Sequence, residues 1–200
     1  MAANIVRFLI LNCALLISVS TSAKPKPEML VNAAIERTKE HIRYDGSYRI
    51  IDFPNGDVPN TIGVCTDVVI RSYRALGLDL QALLNEDIKE NFELYPSKRI
   101  WNLNKPDTNI DHRRVPNLEI FFSRKGETLP ITQNHEDYKA GDLVTWMLPG
   151  NLPHIGIVSD RLNSTTGRPL IIHNIGAGPK LQDMIFDYKI VGHFRYFPNN

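Results

Sequence analysis

Apolar positions along this chain follow two different rhythms. From Pro27 to Leu94 they recur at helical spacing, and from Asp142 onward they fall in short β-branched or aromatic runs. Pro27 suits the first turn of a helix running to about Tyr44, with Leu30, Ala33, Ala34, Arg37 and Ile42 on one partly apolar stripe. The Gly-, Pro-, Asn- and Asp-rich stretch from Asp45 to Gly63 reads as turns around a short strand at Tyr48 to Phe53. Val64, Val68, Val69, Tyr73, Ala75 and Leu76 then predict a helix from Val64 to Leu76, stopped by Gly77. A further helix is expected from Asp79 to about Leu94, before Pro96.

The polar stretch Trp101 to Pro116 is irregular, and Asn117 to Arg124 is one short helix or strand. Asp142 to Met147, Ile155 to Ser159, Leu170 to His173 and Ile190 to Phe197 are expected strands, separated by turn-forming residues. Helices first and an antiparallel sheet second make an α+β domain.

The first 23 residues stand apart. Arg7 precedes an apolar run from Phe8 to Val19, and Thr21-Ser22-Ala23 supplies small residues before a cut. This is a secretory signal pattern, with cleavage expected near Ala23 and an exported, periplasmic mature chain from about Lys24. No membrane anchor is expected after cleavage. The remaining chain is long enough for one domain with a proper core. Without Arg7 its basic and acidic residues number 22 each, which offers no argument for nucleic acid or an anionic membrane surface.

Cys13 falls in the signal and Cys65 in the mature domain. A lone cysteine in an oxidising compartment is a buried inert thiol, half of an intermolecular bridge, or a nucleophile. Cys65 opens its helix just after Gly63, where unpaired N–H groups and the helix dipole favour a thiolate. The sequence therefore predicts a thiol titrating below its ordinary value of ~8.5. Asp67 works against this, with a modest effect expected because it leaves the helix on another face. His154 and His173 lie at the ends of two expected neighbouring strands, where they can meet as base and orienting group. Asn174 is the alternative third residue, since adjacent strand residues point to opposite faces.

The segments GVCTDVVIRSYRALG, YKAGDLVTW, HIGIVSD and LIIHNIG resemble, in that order, NlpC-type peptidoglycan peptidases, the bacterial branch of the papain-like fold. Together with NIDHRRVPNL and GHFRYF they are similar to the exported bacterial domain-of-unknown-function family 1287 across nearly the whole mature chain. The resemblance implies a papain-like fold, with the Cys-bearing helix packed on a C-terminal antiparallel sheet or half-barrel. It also implies Cys65 as nucleophile, His154 as general base and His173 as the group orienting it. Gly141 and Asp142 match the start of a strand and are structural. The implied reaction is cleavage of an amide bond, in peptidoglycan stem peptides, through a thioester acyl-enzyme. The alternatives are an amidase, thioesterase or acyltransferase acting on another acyl compound, and a non-catalytic wall-binding domain with an idle thiol. A monomer acting without cofactor is implied. Cys65 departs from the usual pattern in lying between Val64 and Thr66, and the Asp79 to Pro116 insert can cover one side of the cleft.

Candidate substrate-binding residues are Arg113 and Arg114, which can grip a carboxylate, with Asp67 and Trp146 beside them. Asp107 to His112 begins like a calcium loop, but His112 stands where glycine is required and Leu118 where the bidentate Glu should fall. It reads as a turn with Asx-type hydrogen bonds. No metal-ligand spacing is present.

Overall fold

Five helices lead into one antiparallel sheet in a computed structural model that describes residues 26–198. The expected signal peptide and Cys13 lie outside the described residues. Helix α1 (Pro27–Arg37) ends earlier than its apolar stripe suggested, where the Thr38 hydroxyl donates to the Ile35 carbonyl. The chain then runs extended, so that β1 (Arg43–Tyr44) pairs in parallel with β2 (Ile62–Gly63). The strand expected at Tyr48 to Phe53 does not form. Tyr48 and Ile50 are exposed, and the Ile51 amide donates to the Asn109 side chain instead of to a neighbouring strand.

Helix α2 (Cys65–Ala75) and α3 (Leu80–Glu90) follow, the latter capped by the Asp79 carboxylate on the Gln81 amide. The short α4 (Ser97–Trp101) and a 3-10 turn at Asp111–Arg113 lead to α5 (Val115–Lys125). The choice left open at Asn117 to Arg124 thus resolves as helix. The Asx reading of the preceding turn holds, with the Asn109 amide donating to Asp107 Oδ1 at 3.0 Å.

Strands β3 (Glu127–Thr128), β4 (Leu143–Leu148), β5 (Leu152–Leu162), β6 (Pro169–His173), β7 (Lys180–Gln182) and β8 (Lys189–Arg195) form one sheet in the order β3-β8-β4-β5-β6-β7. Every pairing in it is antiparallel. The expected β4, β5, β6 and β8 are present, and the short edge strands β3 and β7 are additional.

Both faces of the sheet are covered, which explains why its strands are apolar on both sides. Leu143, Ile155, Ile157, Ile172 and Phe194 meet Leu30, Val69, Tyr73, Leu118 and Phe122 from the helices. The alternate positions Val144, Trp146, Val158 and Ile171 meet Tyr138, Met184 and Ile185 on the other face. Gly141 and Asp142 anchor the sheet. The Asp142 carboxylate accepts from His193 Nε2 at 2.9 Å and Arg195 Nε at 2.8 Å, tying β4 to β8. Gly141 has φ +86°, and a Cβ there would stand 3.0 Å from Pro27. Among the described residues no helix is long and apolar enough to cross a membrane.

Candidate active site

Gly63 ends β2, and one residue later the chain turns into α2, so Cys65 occupies the first helical position. Two side chains hold that turn, one from within the helix and one from the end of β6. The Asp67 carboxylate accepts from the Val64 amide at 2.7 Å, and Asn174 Nδ2 donates to the Gly63 carbonyl at 3.3 Å. Cys65 shares the helix-side core with Ile155, whose amide, with those of Thr66 and Cys65 itself, favours the thiolate. The helix N-terminus thus meets the start of β5, one residue beyond His154.

Burial dominates the electrostatics and reverses the expected thiol shift. It pushes the Cys65 thiol up to about 11, and the Asp67 charge adds to the rise. The three amides favour the thiolate but do not outweigh burial. At neutral pH the nucleophile candidate is a thiol.

His154 and His173 meet as the strand ends suggested, although His154 lies within β5 instead of before it. His154 Nε2 is 2.9 Å from His173 Nδ1, and His173 Nε2 is 2.9 Å from Gln182 Oε1. The chain of contacts sets the protons. An amide oxygen only accepts, so His173 carries hydrogen on Nε2 and a lone pair on Nδ1. His154 must then donate from Nε2, which leaves its Nδ1 with a free lone pair, the form a general base requires. Both rings are neutral, because burial depresses His154 to about 3 and His173 to about 4. Gly156 makes the approach possible: a Cβ there would stand 2.6 Å from Ile171 Cγ2 and 3.2 Å from His173 Cβ.

Asn174 does not share in this chain. It braces Gly63 instead, so of the two residues His173 is the one that contacts His154. Among the described residues no hydrogen bond joins Cys65 to His154. Cys65 belongs to the helix-side core with Ile155 and Ile157, while the His154 ring lies 6.0 Å from Trp146, its partner across β4 and β5.

A cavity of about 240 Å³ opens on Cys65, walled by Tyr44, Val64, Trp101, Arg114, Val115 and Pro153. Three of the candidate binding residues are committed elsewhere, Asp67 among them, its carboxylate taken by the Val64 amide and Arg113. Arg113 lies at the wall, but its Nε and Nη2 donate to Asp67 Oδ1 and Oδ2, each at 2.9 Å, in a buried pair. Trp146 is wholly buried, donating from Nε1 to the Ile185 carbonyl, so it is a core residue and not a binding one. Arg114 does face the cavity, with its guanidinium 4.0 Å over the Trp101 ring. Among the described residues no group of three His, Cys, Asp or Glu side chains is arranged to hold a metal ion.

Sequence reasoning missed Gln182 and Tyr44. Gln182 acquires meaning only when β7 pairs with β6, placing it across from Ile171. Replacing Gln182 with leucine is expected to remove the acceptor that orders both rings. Ring ¹⁵N shifts should then report mixed tautomers at His154 and His173, whereas Gln182→Glu should keep the single pattern. Unchanged shifts in Gln182→Leu would show that another group sets the protons.

Residues 31–196 match the family described as "Domain of unknown function (DUF1287)". The chain is also 49% identical over 168 residues to the "Uncharacterized protein YijF" of Escherichia coli (strain K12), covering 84% of this chain and 80% of that protein.

Proposed function

We propose that this chain, which belongs to the DUF1287 family, is an exported cysteine hydrolase of papain-like, NlpC-type fold that cleaves an amide bond in peptidoglycan stem peptides. The ordered chain Gln182–His173–His154, ending one residue from Ile155, which shares the helix-side core with Cys65, is the observation that carries this reading. Its order is what catalysis by a neutral thiol requires. His154 Nδ1 takes the thiol proton as the sulfur attacks the carbonyl, and the tetrahedral intermediate collapses to a thioester. The same nitrogen returns the proton to the leaving amine, and water then releases the acyl group. His173 fixes the tautomer and shares the charge that forms on His154. The proton moves during attack, and no ion pair precedes it. This reading requires His154 Nδ1 to come within hydrogen-bond reach of the Cys65 sulfur during the reaction.

A second reading, a wall-binding domain with an idle thiol, is favoured by one observation. The thiol is buried, held protonated and without a hydrogen bond to His154. Incubating the mature protein with isolated stem peptides and reading new amino termini by mass spectrometry separates the two. Cleavage should vanish in Cys65→Ala and fall roughly 10²–10⁴-fold in His154→Gln. Stem peptides that stay intact but bind equally well to the parent and to Cys65→Ala would establish the second reading. Cleavage confined to simple esters or thioesters would transfer the same residues to another acyl substrate.

A further inference from the structure

The two adjacent arginines of the cavity wall have opposite fates, and the difference points to what the cavity holds. Arg113 is cancelled: Asp67 takes two of its N–H groups, and the carbonyls of Ser47 and Asp45 take others. Arg114 is held but not used up. Its Nη1 donates to Asp111 Oδ1 at 3.0 Å, and the ring of Trp101 covers one face of its guanidinium. Asp111 is itself fixed by the Asp107 amide and by Asn117 Nδ2. Among the described residues the Nε and Nη2 of Arg114 have no hydrogen-bond partner, and neither is sealed from solvent.

A guanidinium immobilised in one plane with an open donor edge is preorganised for a planar two-oxygen anion. The surroundings narrow the choice. Tyr44, Val64, Ile110, Val115 and Pro153 line the rest of the cavity, so one small anionic group meets a largely apolar wall. Its volume, about 240 Å³, lies below the roughly 300–1,000 Å³ of a drug-sized ligand site. A single open edge, on a guanidinium whose Nη1 already binds the Asp111 carboxylate, suits one negative charge better than a phosphate dianion.

We propose that Arg114, stacked on Trp101, is a carboxylate-binding subsite of the Cys65 cavity, so that the compounds it selects are acyl compounds with a carboxylate close to the carbonyl under attack. This rests on the reading of Cys65 as a nucleophile and adds the substrate's charge and shape.

Two alkylating reagents of nearly equal size test it. Iodoacetate carries a carboxylate beside its reacting carbon, and iodoacetamide carries a neutral amide there. The ratio of their rate constants at Cys65, divided by the same ratio for free cysteine, isolates recognition of the charge. A ratio at least roughly tenfold above that of free cysteine is expected, falling to the free value in Arg114→Gln. The iodoacetamide rate should stay within about threefold, which shows that the variant is folded and its thiol accessible. Arg114→Lys, a point charge without the fork, should retain part of the preference.

A ratio equal to that of free cysteine, or a raised one indifferent to Arg114→Gln, overturns the subsite while leaving the nucleophile in place. If neither reagent reacts, the nucleophile reading fails, and tryptophan fluorescence under acetate titration decides the subsite. Saturation in the parent that is lost in Arg114→Gln supports it, and a flat response in both overturns it.

Discussion

Replacing Asp67 with alanine is expected to cost about 3–5 kcal/mol, the range for breaking a buried ion pair by removing one partner. Three buried donors converge on this carboxylate: the Val64 amide and the Nε and Nη2 of Arg113. Alanine leaves the Arg113 charge buried and unpaired, and orphans an N–H at the start of the Cys65 helix. The damage spreads beyond the helix. Arg113 also binds the carbonyls of Asp45 and Ser47, and its own carbonyl accepts from the Thr66 hydroxyl. Against a total stability of ~5–15 kcal/mol, the loss should move the urea midpoint by about 1–3 M. Removing both charges, as in Asp67→Leu with Arg113→Met, should restore most of the stability, because no uncompensated charge remains. A midpoint shift below ~0.5 M in Asp67→Ala would mean that the pair does not hold the turn.

Acid should unfold this protein well before its carboxylates are titrated. Burial depresses three histidines from an ordinary value of 6.5: His112 to about 4, His154 to about 3 and His173 to about 4. The sign follows from proton counting. Below pH 6.5 the unfolded chain takes up protons on all three, while the folded chain does not until pH 3 to 4. Stability is therefore fully present above 6.5 and is lost as pH falls through this window. Each histidine contributes about 1.4 kcal/mol per pH unit, so the slope approaches ~4 kcal/mol per unit near pH 5. Asp111 and Glu119, whose carboxyls burial raises, offset part of this on the acid side. Asp87 sits below the usual carboxylate range despite its burial, held there by Arg124, Tyr95 and Lys125, so its contribution is lost only at lower pH. Urea midpoints measured from pH 4 to 8 should fall steeply below 6.5. His112→Gln should flatten the slope by about a third. A flat profile down to pH 5 would mean that the rings titrate as free histidines.

Helix α2 and the four longer strands were legible in the sequence because period and punctuation agree there: Gly63 and Gly77 bracket the helix, and β-branched runs separated by turn residues mark the strands. The place of Cys65 at the head of that helix and the meeting of His154 with His173 were legible too. The protonation of the site was not. Helix position alone favours a thiolate, but its weight depends on how much of the domain covers the sulfur, which spacing does not record. Nor was the pairing of Asp67 with Arg113, since 46 residues separate them and each looks free in its own segment. Trp146 stood among the candidate binding residues until the second sheet face proved to be covered as well. The missing strand at Tyr48 to Phe53 failed for a similar reason, its backbone being claimed by Asn109.

The three-residue strand β7 carries Gln182 at the edge of the sheet. Short edge strands fray at low free energy, so β7 should exchange its amide hydrogens long before β4 and β5 do. Each fraying event hands the His173 Nε2 position to water, which donates as readily as it accepts. The memory of which nitrogen bears the proton therefore lasts only as long as β7 stays zipped. The lifetime of the single tautomer at His154 is set by the breathing of a strand two positions away.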